Sequence, residues 1–158
     1  MALQDRTYHR DINLQVGDGA APLAASGFAQ VGGVTGVVDL GGNQGTNPKQ
    51  QSRFDGVMLV DVSALNLGAG FAYGFKVIGS NDPALASGNA VLGAADVGAG
   101  ASLPIPGGGT SPAAPGSIEI FFTTNQLGVL YQYVGLYMVL TGAGSTTFRA
   151  FVCTLPRT

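Results

Sequence analysis

Charged residues are scarce in this chain. Asp, Glu, Lys and Arg make up only 10% of its 158 residues, against about 25% in average globular proteins. The Lys and Arg side chains are scattered without a run and the formal net charge is -2, which argues against nucleic acid as the main ligand. Such a surface is less hydrated than a free monomer normally keeps, which indicates a permanent partner; the alternative is a glycine-rich β domain that is merely soluble.

Cysteine and histidine are each present once. Cys153 alone excludes an intramolecular disulfide and any multi-cysteine metal site, and its apolar setting predicts a buried structural thiol. His9 lies in a charged terminal segment, so it is a poor candidate for the base of a catalytic triad. No charged-then-apolar leader opens the chain and no apolar run approaches 18 residues, so we expect neither secretion through a standard signal nor a membrane-spanning helix.

Glycine, proline and apolar residues are what the chain has in abundance. It contains 26 Gly and 8 Pro, and 46% of its residues are hydrophobic, a composition typical of a compact β protein with many turns. Alternating apolar positions predict about eight strands and almost no helix. We therefore expect an all-β antiparallel sandwich or barrel, with the long crossings favouring a jelly-roll order. The predicted strands are residues 27–31, 34–40, 54–65, 71–79, 90–97, 117–123 and two within 129–155.

Residues 129–155 are the most apolar stretch and predict two long strands joined by a glycine turn at 142–145. Tyr131, Tyr133 and Tyr137 fall on one parity, whereas Val134 and Leu136 fall on the other. Because side chains alternate between the faces of a strand, both faces carry large apolar groups and both should be covered. The turn has the composition of a hairpin connection.

No catalytic, metal or cofactor motif is visible. Paired carboxylates for glycoside hydrolysis would need Glu119 to face Asp55 or Asp61 across a cleft, and solvated acids or ion-pair partners are the favoured interpretation. The other acidic residues are isolated, so no metal site is expected. The glycine-rich stretches indicate turns and not phosphate cradles, because none of them opens a helix after a strand and carries a lysine. We expect a protein without enzymatic activity and without a cofactor.

Three segments carry a resemblance to a known family: FKVIGSNDPALASGN (residues 75–89), FFTTNQ (121–126) and YQYVGLYMVLTGAGSTTFRAFV (131–152). With the glycine- and proline-rich excursion between the first two, this order of strands and turns resembles the jelly-roll cement, or decoration, proteins on the capsids of tailed bacteriophages. The similarity runs from about residue 27 to the end. It implies an eight-stranded jelly roll, a homotrimer on the outer surface of the virion, and the major capsid protein as partner, with neither nucleic acid nor membrane bound.

The resemblance and the charge pattern together predict how the chain is organised. Residues 1–26 would be an N-terminal arm or edge segment, and residues 27–158 the jelly-roll domain. The arm and the exposed loop 41–51 are the expected capsid-facing parts, and residues 131–137 could contribute to a trimer seam or to the core. The candidate capsid contacts are Arg6, His9, Arg10, Asn47, Lys49 and Arg53, and the candidate trimer contacts are Tyr131, Tyr133 and Tyr137.

Two other functions remain open at this point. A carbohydrate-binding jelly-roll module of a phage surface or tail adhesin would need a rim of exposed aromatic residues beside Asp and Asn, and the absence of Trp weighs against it. A β-sandwich hydrolase would need two acids that converge in a cleft.

Overall fold

The computed structural model describes residues 10–41, 53–66, 70–98 and 116–154. These residues form antiparallel β-strands and a single 3-10 turn, Ile12–Leu14. The strands are β1 (Gln15–Asp18), β2 (Gly27–Phe28), β3 (Gln30–Val31), β4 (Val34–Thr35), β5 (Val38–Asp39), β6 (Asp55–Leu65), β7 (Ala72–Ser80), β8 (Ala90–Gly98), β9 (Gly116–Thr123), β10 (Asn125–Gln126), β11 (Val129–Leu130), β12 (Tyr133–Thr141) and β13 (Thr146–Thr154).

The long strands build two antiparallel sheets. The first sheet has the order β1-β13-β6-β9. The second has the order β2-β12-β7-β8, and β5 also pairs with β12. Two short ribbons, β3-β4 and β10-β11, complete the described strands. The two sheets face each other across a shared core, so the predicted all-β antiparallel sandwich is confirmed.

One apolar core lies between the two sheets. From the first sheet it receives alternate residues of β6 and β13, such as Val60 and Val152, and from the second sheet alternate residues of β7 and β12, such as Phe75 and Leu136. Phe75 meets Phe148 across the sandwich in an edge-to-face ring pair with centroids 5.1 Å apart, a favourable arrangement of aromatic quadrupoles. In the sequence of residues 71–79, Tyr73 and Phe75 fall on the same parity, and in the structure both side chains point inward as this alternation predicts.

The expected hairpin at residues 142–145 is wrong. Strand β12 pairs with β2, β5 and β7, whereas β13 pairs with β1 and β6. The four-residue link therefore carries the chain from one sheet to the other. Gly142 sits there at a φ of 86°, a left-handed conformation that glycine adopts without a steric cost. The Tyr73 hydroxyl stabilises this corner, because its one O–H lies between the carbonyls of Asn66, at 2.6 Å, and Ser145, at 3.1 Å.

The first described residues belong to the sandwich. Strand β1 is the edge strand of the first sheet, and Val16 is fully buried in the main core. The 3-10 turn that precedes it is capped by Asp11, whose side chain accepts from the Asn13 N–H at 2.9 Å. Residues 15–18 thus serve as an edge strand and contribute to the core. Across the described ranges, no helix has the length and apolarity needed to cross a membrane.

Candidate functional site

One end of the sandwich gathers several loops, and we call it the loop end: residues 39–41, 53–54, 81–89 and 124–132. Gln132 joins three of these segments. Its backbone N–H donates to Asn81 Oδ1 at 3.0 Å, its side-chain amide donates to Asp39 Oδ1 at 2.9 Å, and its carbonyl accepts from the Leu40 N–H. Thr124 joins the fourth, because its hydroxyl accepts from the Phe54 N–H at 2.8 Å. The loop end is therefore a connected surface.

The 81–89 loop is held by one carboxylate. Asp82 accepts hydrogen bonds from the backbone N–H groups of Ala84, Ala86 and Ser87 and from the Ser87 hydroxyl. These bonds, led by the one from Ala84, lower the pKa of Asp82, since each favours the charged form. The carboxylate of Asp82 is thus committed to ordering the loop.

This loop presses a leucine onto the outer face of the second sheet. Leu85 is only 2% exposed although it adopts a left-handed φ of 52°. It rests on Gly135 of β12, where an added Cβ would stand 2.5 Å from Leu85 Cδ1. The missing side chain at Gly135 is therefore what lets the loop pack down on the sheet.

An apolar surface projects from the same end, and we call it the hairpin surface: Val91, Leu127 and Val129. Leu127 lies at the tip of the β10-β11 ribbon, fully exposed and at a left-handed φ of 50°. The Gln126 side chain ties the ribbon to β8 by donating to the Val91 carbonyl at 2.7 Å. A left-handed leucine costs roughly 1–2 kcal/mol relative to an ordinary conformation, and an exposed apolar group at a strained turn indicates a contact surface.

Sequence reasoning missed the hairpin surface. The other exposed large apolar residues of the described part lie apart from it or on other elements: Ile12, Val34 and Phe121. Leu127 stands where Asn, Asp or Gly is usual in a two-residue turn. The one available signal was a leucine followed by glycine between two predicted strands.

The candidate capsid contacts fall into three groups. Arg53 lies at the loop end, where its guanidinium pairs with Asp55 at 2.7 Å and both side chains are exposed. Arg10 lies elsewhere, on the outer face of the first sheet. Arg6, His9, Asn47 and Lys49 lie outside the described residues.

Arg10 is bound to the middle of β6. Its Nε donates to Asp61 Oδ2 at 2.9 Å and its Nη2 to Asp61 Oδ1 at 3.3 Å, while the Ser117 hydroxyl donates to the same carboxylate at 2.5 Å. Burial alone would raise the pKa of Asp61, but the bonds from Arg10 and Ser117, helped by the charge of Arg149, outweigh it and the pKa is lowered. Asp61 therefore stays ionised as the anchor of this cluster.

Two of the acids considered for hydrolysis, Asp55 and Asp61, form ion pairs with arginine side chains. Asp55 and Asp61 share the outer face of β6, and Glu119 lies on the same face of β9, opposite Leu59. A glycosidase needs one acid whose pKa is raised so that it can donate a proton. The pKa of Asp55 is instead lowered, chiefly by the bond from Arg53, and that of Asp61 is lowered as well. This arrangement suits ion pairing.

The three candidate trimer tyrosines do not lie together. Tyr133 and Tyr137 are half-buried on the outer face of β12, and the ring of Tyr137 packs edge-to-face on Phe28, with centroids 5.0 Å apart. Tyr131 precedes β12 and packs against the main core. The shared parity predicted from the sequence fails there because Tyr131 lies between β11 and β12 and belongs to neither strand.

A cavity of about 190 Å³ near β1 is too small for a typical ligand, since such sites span roughly 300–1,000 Å³. The carboxylate at its rim, Asp18, accepts from the N–H groups of Ala20 and Gly32, which lowers its pKa and makes its role structural. The described ranges hold no cluster of three or more His, Cys, Asp or Glu side chains suited to a metal ion.

Comparisons with protein-family models, curated proteins and solved structures gave no match for this chain.

Proposed function

We propose that this chain is a structural virion protein: a capsid cement, or decoration, protein that binds the outer surface of a tailed-phage head as a homotrimer and clamps neighbouring major capsid subunits. The order of the strands in the two sheets carries the proposal. The sequence resemblance implies an eight-stranded jelly roll, and the observed strand order supports that fold.

Eight principal strands support the jelly-roll order. With β2 and β5 taken as one interrupted strand, the eight in chain order are β1, β2/β5, β6, β7, β8, β9, β12 and β13. The first sheet then has the order 1-8-3-6 and the second the order 2-7-4-5. An antiparallel chain folded into two Greek keys rolled together has these neighbours. The corner at residues 142–145, which joins strands seven and eight in opposite sheets, belongs to the same pattern.

The loop end supports a protein partner. It combines the exposed apolar hairpin surface with the exposed Arg53–Asp55 ion pair, and such a mixture of apolar centre and polar surroundings is typical of protein interfaces. The described residues on either side of Asn47 and Lys49 in the sequence, residues 39–41 and 53–54, both lie at this end. We therefore assign the loop end as the face that meets the capsid.

A cement protein acts by adding buried area across the joints between capsid subunits. A standard protein interface buries roughly 1,600 Å² in total. In a trimer, the first contact raises the effective concentration of the other two, so three modest interfaces hold together more strongly than any one of them. On this proposal Tyr133 and Tyr137 remain candidate trimer contacts.

The experiment that tests the proposal uses heads from which this protein is absent. Purified protein is added back, bound protein is measured by co-sedimentation, and the temperature at which heads release DNA is recorded. We expect saturable binding and a higher release temperature for the wild type, and weaker binding for Leu127→Asp. Val34→Asp is the matched control, because Val34 is also exposed and apolar but lies on the β3-β4 ribbon.

Equal binding by Leu127→Asp and Val34→Asp would show that the loop end is not the face that binds the capsid. Wild-type protein that neither binds the heads nor changes their release temperature would refute the function itself. The carbohydrate-binding alternative is tested on the same protein with a glycan array. Only Phe121 is aromatic among the large apolar side chains exposed in the described part, so we expect no glycan to bind.

A further inference from the structure

The 81–89 loop buries a single side chain against the sandwich. Every residue from 82 to 88 except Leu85 is exposed or half-buried, whereas Leu85 is 2% exposed. The backbone of this segment is held mainly by its own groups: the Asp82 side chain accepts from three N–H groups within it, and the Leu85 N–H donates to the Asp82 carbonyl at 3.0 Å. We call residues 82–88 the strap.

Both ends of the strap meet at the last residue of β7. The Ser80 hydroxyl donates to the Ser87 carbonyl at 2.7 Å and accepts from the Asp82 N–H at 2.9 Å. Loops whose ends lie close together and whose own groups hold them form compact surface units. The strap can therefore move as one body about Ser80, and its remaining attachment is the side chain of Leu85.

Leu85 packs on the outer face of the second sheet. It covers Gly135 of β12, where an added Cβ would lie 2.5 Å from Leu85 Cδ1 and 3.8 Å from Phe28 Cδ1. Gly135 pairs with Ile78 of β7, and Ile78 lies on the same outer face because its neighbour Val77 points into the main core. Ile78 is only 7% exposed. Cover by the strap accounts for that burial, since paired residues stand about 5 Å apart.

Leu85 holds its position in an unfavourable backbone conformation. Its φ is 52°, and a leucine with a left-handed backbone is less stable than one in an ordinary conformation. Such residues persist only where surrounding contacts hold them, and they are frequent in segments that switch. Segments with few buried apolar contacts and exposed hydrogen bonds also open more often than a core. The strap has both properties.

We propose that the strap opens from the second sheet while the sandwich stays folded, and that the Leu85 side chain over Gly135 is what closes it. Opening uncovers Ile78 and the gap at Gly135, which lies between Tyr133 and Tyr137 along β12. The strap thereby controls access to the middle of this outer face. The inference concerns a single chain and does not rest on the proposed function.

A cysteine at position 78 measures the opening. The native thiol is first removed by Cys153→Ala, and Ile78→Cys is introduced in that background. The rate at which a maleimide labels the new thiol in native buffer reports how often it is uncovered. Val77→Cys is the matched reference, because Val77 is the neighbouring residue but is fully buried in the main core. We expect Ile78→Cys to be labelled at least about tenfold faster than Val77→Cys.

Two substitutions added to Ile78→Cys test what closes the strap. Gly135→Ala places a methyl group where Leu85 lies, and Leu85→Ala removes the closing side chain. Each should accelerate labelling by a further factor of about ten. Gly74→Ala is the matched control for Gly135→Ala, because an added Cβ at Gly74 would lie 2.7 Å from Asp96 Oδ1, away from the strap. It should leave the labelling rate unchanged.

Circular dichroism establishes that each variant is folded. Labelling of Ile78→Cys as slow as that of Val77→Cys overturns the proposal, because the strap would then open only when the sandwich unfolds. A folded Leu85→Ala variant with an unchanged rate also overturns it, and this substitution in a surface loop does not depend on Gly135→Ala folding. Equal acceleration by Gly74→Ala and Gly135→Ala would contradict the role of Leu85.

Discussion

Leu85 and Leu127 offer a test of how the 81–89 loop is held. Both are leucines with a left-handed φ, 52° and 50°, but Leu85 is 2% exposed and Leu127 is fully exposed. Alanine carries a Cβ as leucine does, so the substitution leaves the free-energy cost of the left-handed backbone nearly unchanged at both positions. The difference between the two variants therefore isolates the burial of the Leu85 side chain on the second sheet.

The expected magnitude follows from that burial. Leu→Ala in a core costs about 2–5 kcal/mol, and we expect the lower part, about 2–3 kcal/mol, because a surface loop can partly close the gap over Gly135. For a chain of this length each kcal/mol lowers Tm by roughly 2–4 °C, which gives a fall of about 4–12 °C. Leu127→Ala should change stability by less than about 0.5 kcal/mol.

Urea unfolding followed by circular dichroism measures both values. The variants must be compared at one protein concentration, because the stability of an oligomer depends on it. If Leu85→Ala lost no more than Leu127→Ala, the loop would not be anchored by its leucine, and the hydrogen bonds to Asp82 alone would have to hold it.

Three further predictions concern the core, the corner at residues 142–145 and the Arg10–Asp61 ion pair. Phe75→Ala should destabilise the protein by about 3–5 kcal/mol, because Phe75 is fully buried against Phe148; a loss below about 1 kcal/mol in urea unfolding would mean that the core is not packed as described. Gly144→Ala should lower Tm and, in the near-ultraviolet spectrum, loosen Tyr73, since an added Cβ collides with the Tyr73 hydroxyl; an unchanged Tm and spectrum would contradict the geometry of the corner. Asp61→Asn should cost about 0.5–1 kcal/mol at pH 7. The pKa of Asp61 is lowered on folding, so its contribution to stability is complete above the unfolded pKa of about 3.9 and disappears as the pH falls through the folded pKa. The variant should therefore lose less stability in acid than the wild type. Parallel wild-type and variant stability curves from pH 7 to pH 2 would show that the Arg10–Asp61 ion pair contributes nothing.

Local patterns in the sequence were enough to locate most strands. Residues 71–79 alternate large apolar with small or polar side chains, and the structure has β7 at Ala72–Ser80 with the predicted parity. The burial of Cys153 could also be predicted from the sequence, because its neighbours are apolar. Both features depend on side chains close in sequence, which is the information that periodicity contains.

The pairing of the strands could not be predicted from local sequence patterns. A glycine turn indicates that the chain reverses, but not whether the returning strand pairs with the outgoing one. Here β12 and β13 have apolar residues on both faces, and each finds its hydrogen-bond partners among strands far away in the chain. The alternation of apolar residues cannot distinguish a hairpin from a crossing between sheets, because the inward residues are apolar in either arrangement.

The site depended even more on distant contacts. Arg10 and Asp61 are 51 residues apart, and Gln132 meets Asp39 across 93 residues. The sequence indicated that Asp55 and Asp61 are solvated acids or ion-pair partners, but it did not indicate that Arg10 is the residue that pairs with Asp61. It did indicate that residues 129–155 need cover on both faces, and on β13 the side chains of Phe151 and Cys153 are buried outside the main core.

The most direct test of the proposed function is an electron cryomicroscopy reconstruction of the intact phage particle that carries this protein. We predict trimeric density at threefold positions on the outer surface of the head, with the loop end, including Leu127, against the major capsid subunits. Density for this chain inside the shell, in the tail, or nowhere on the particle would contradict the proposal.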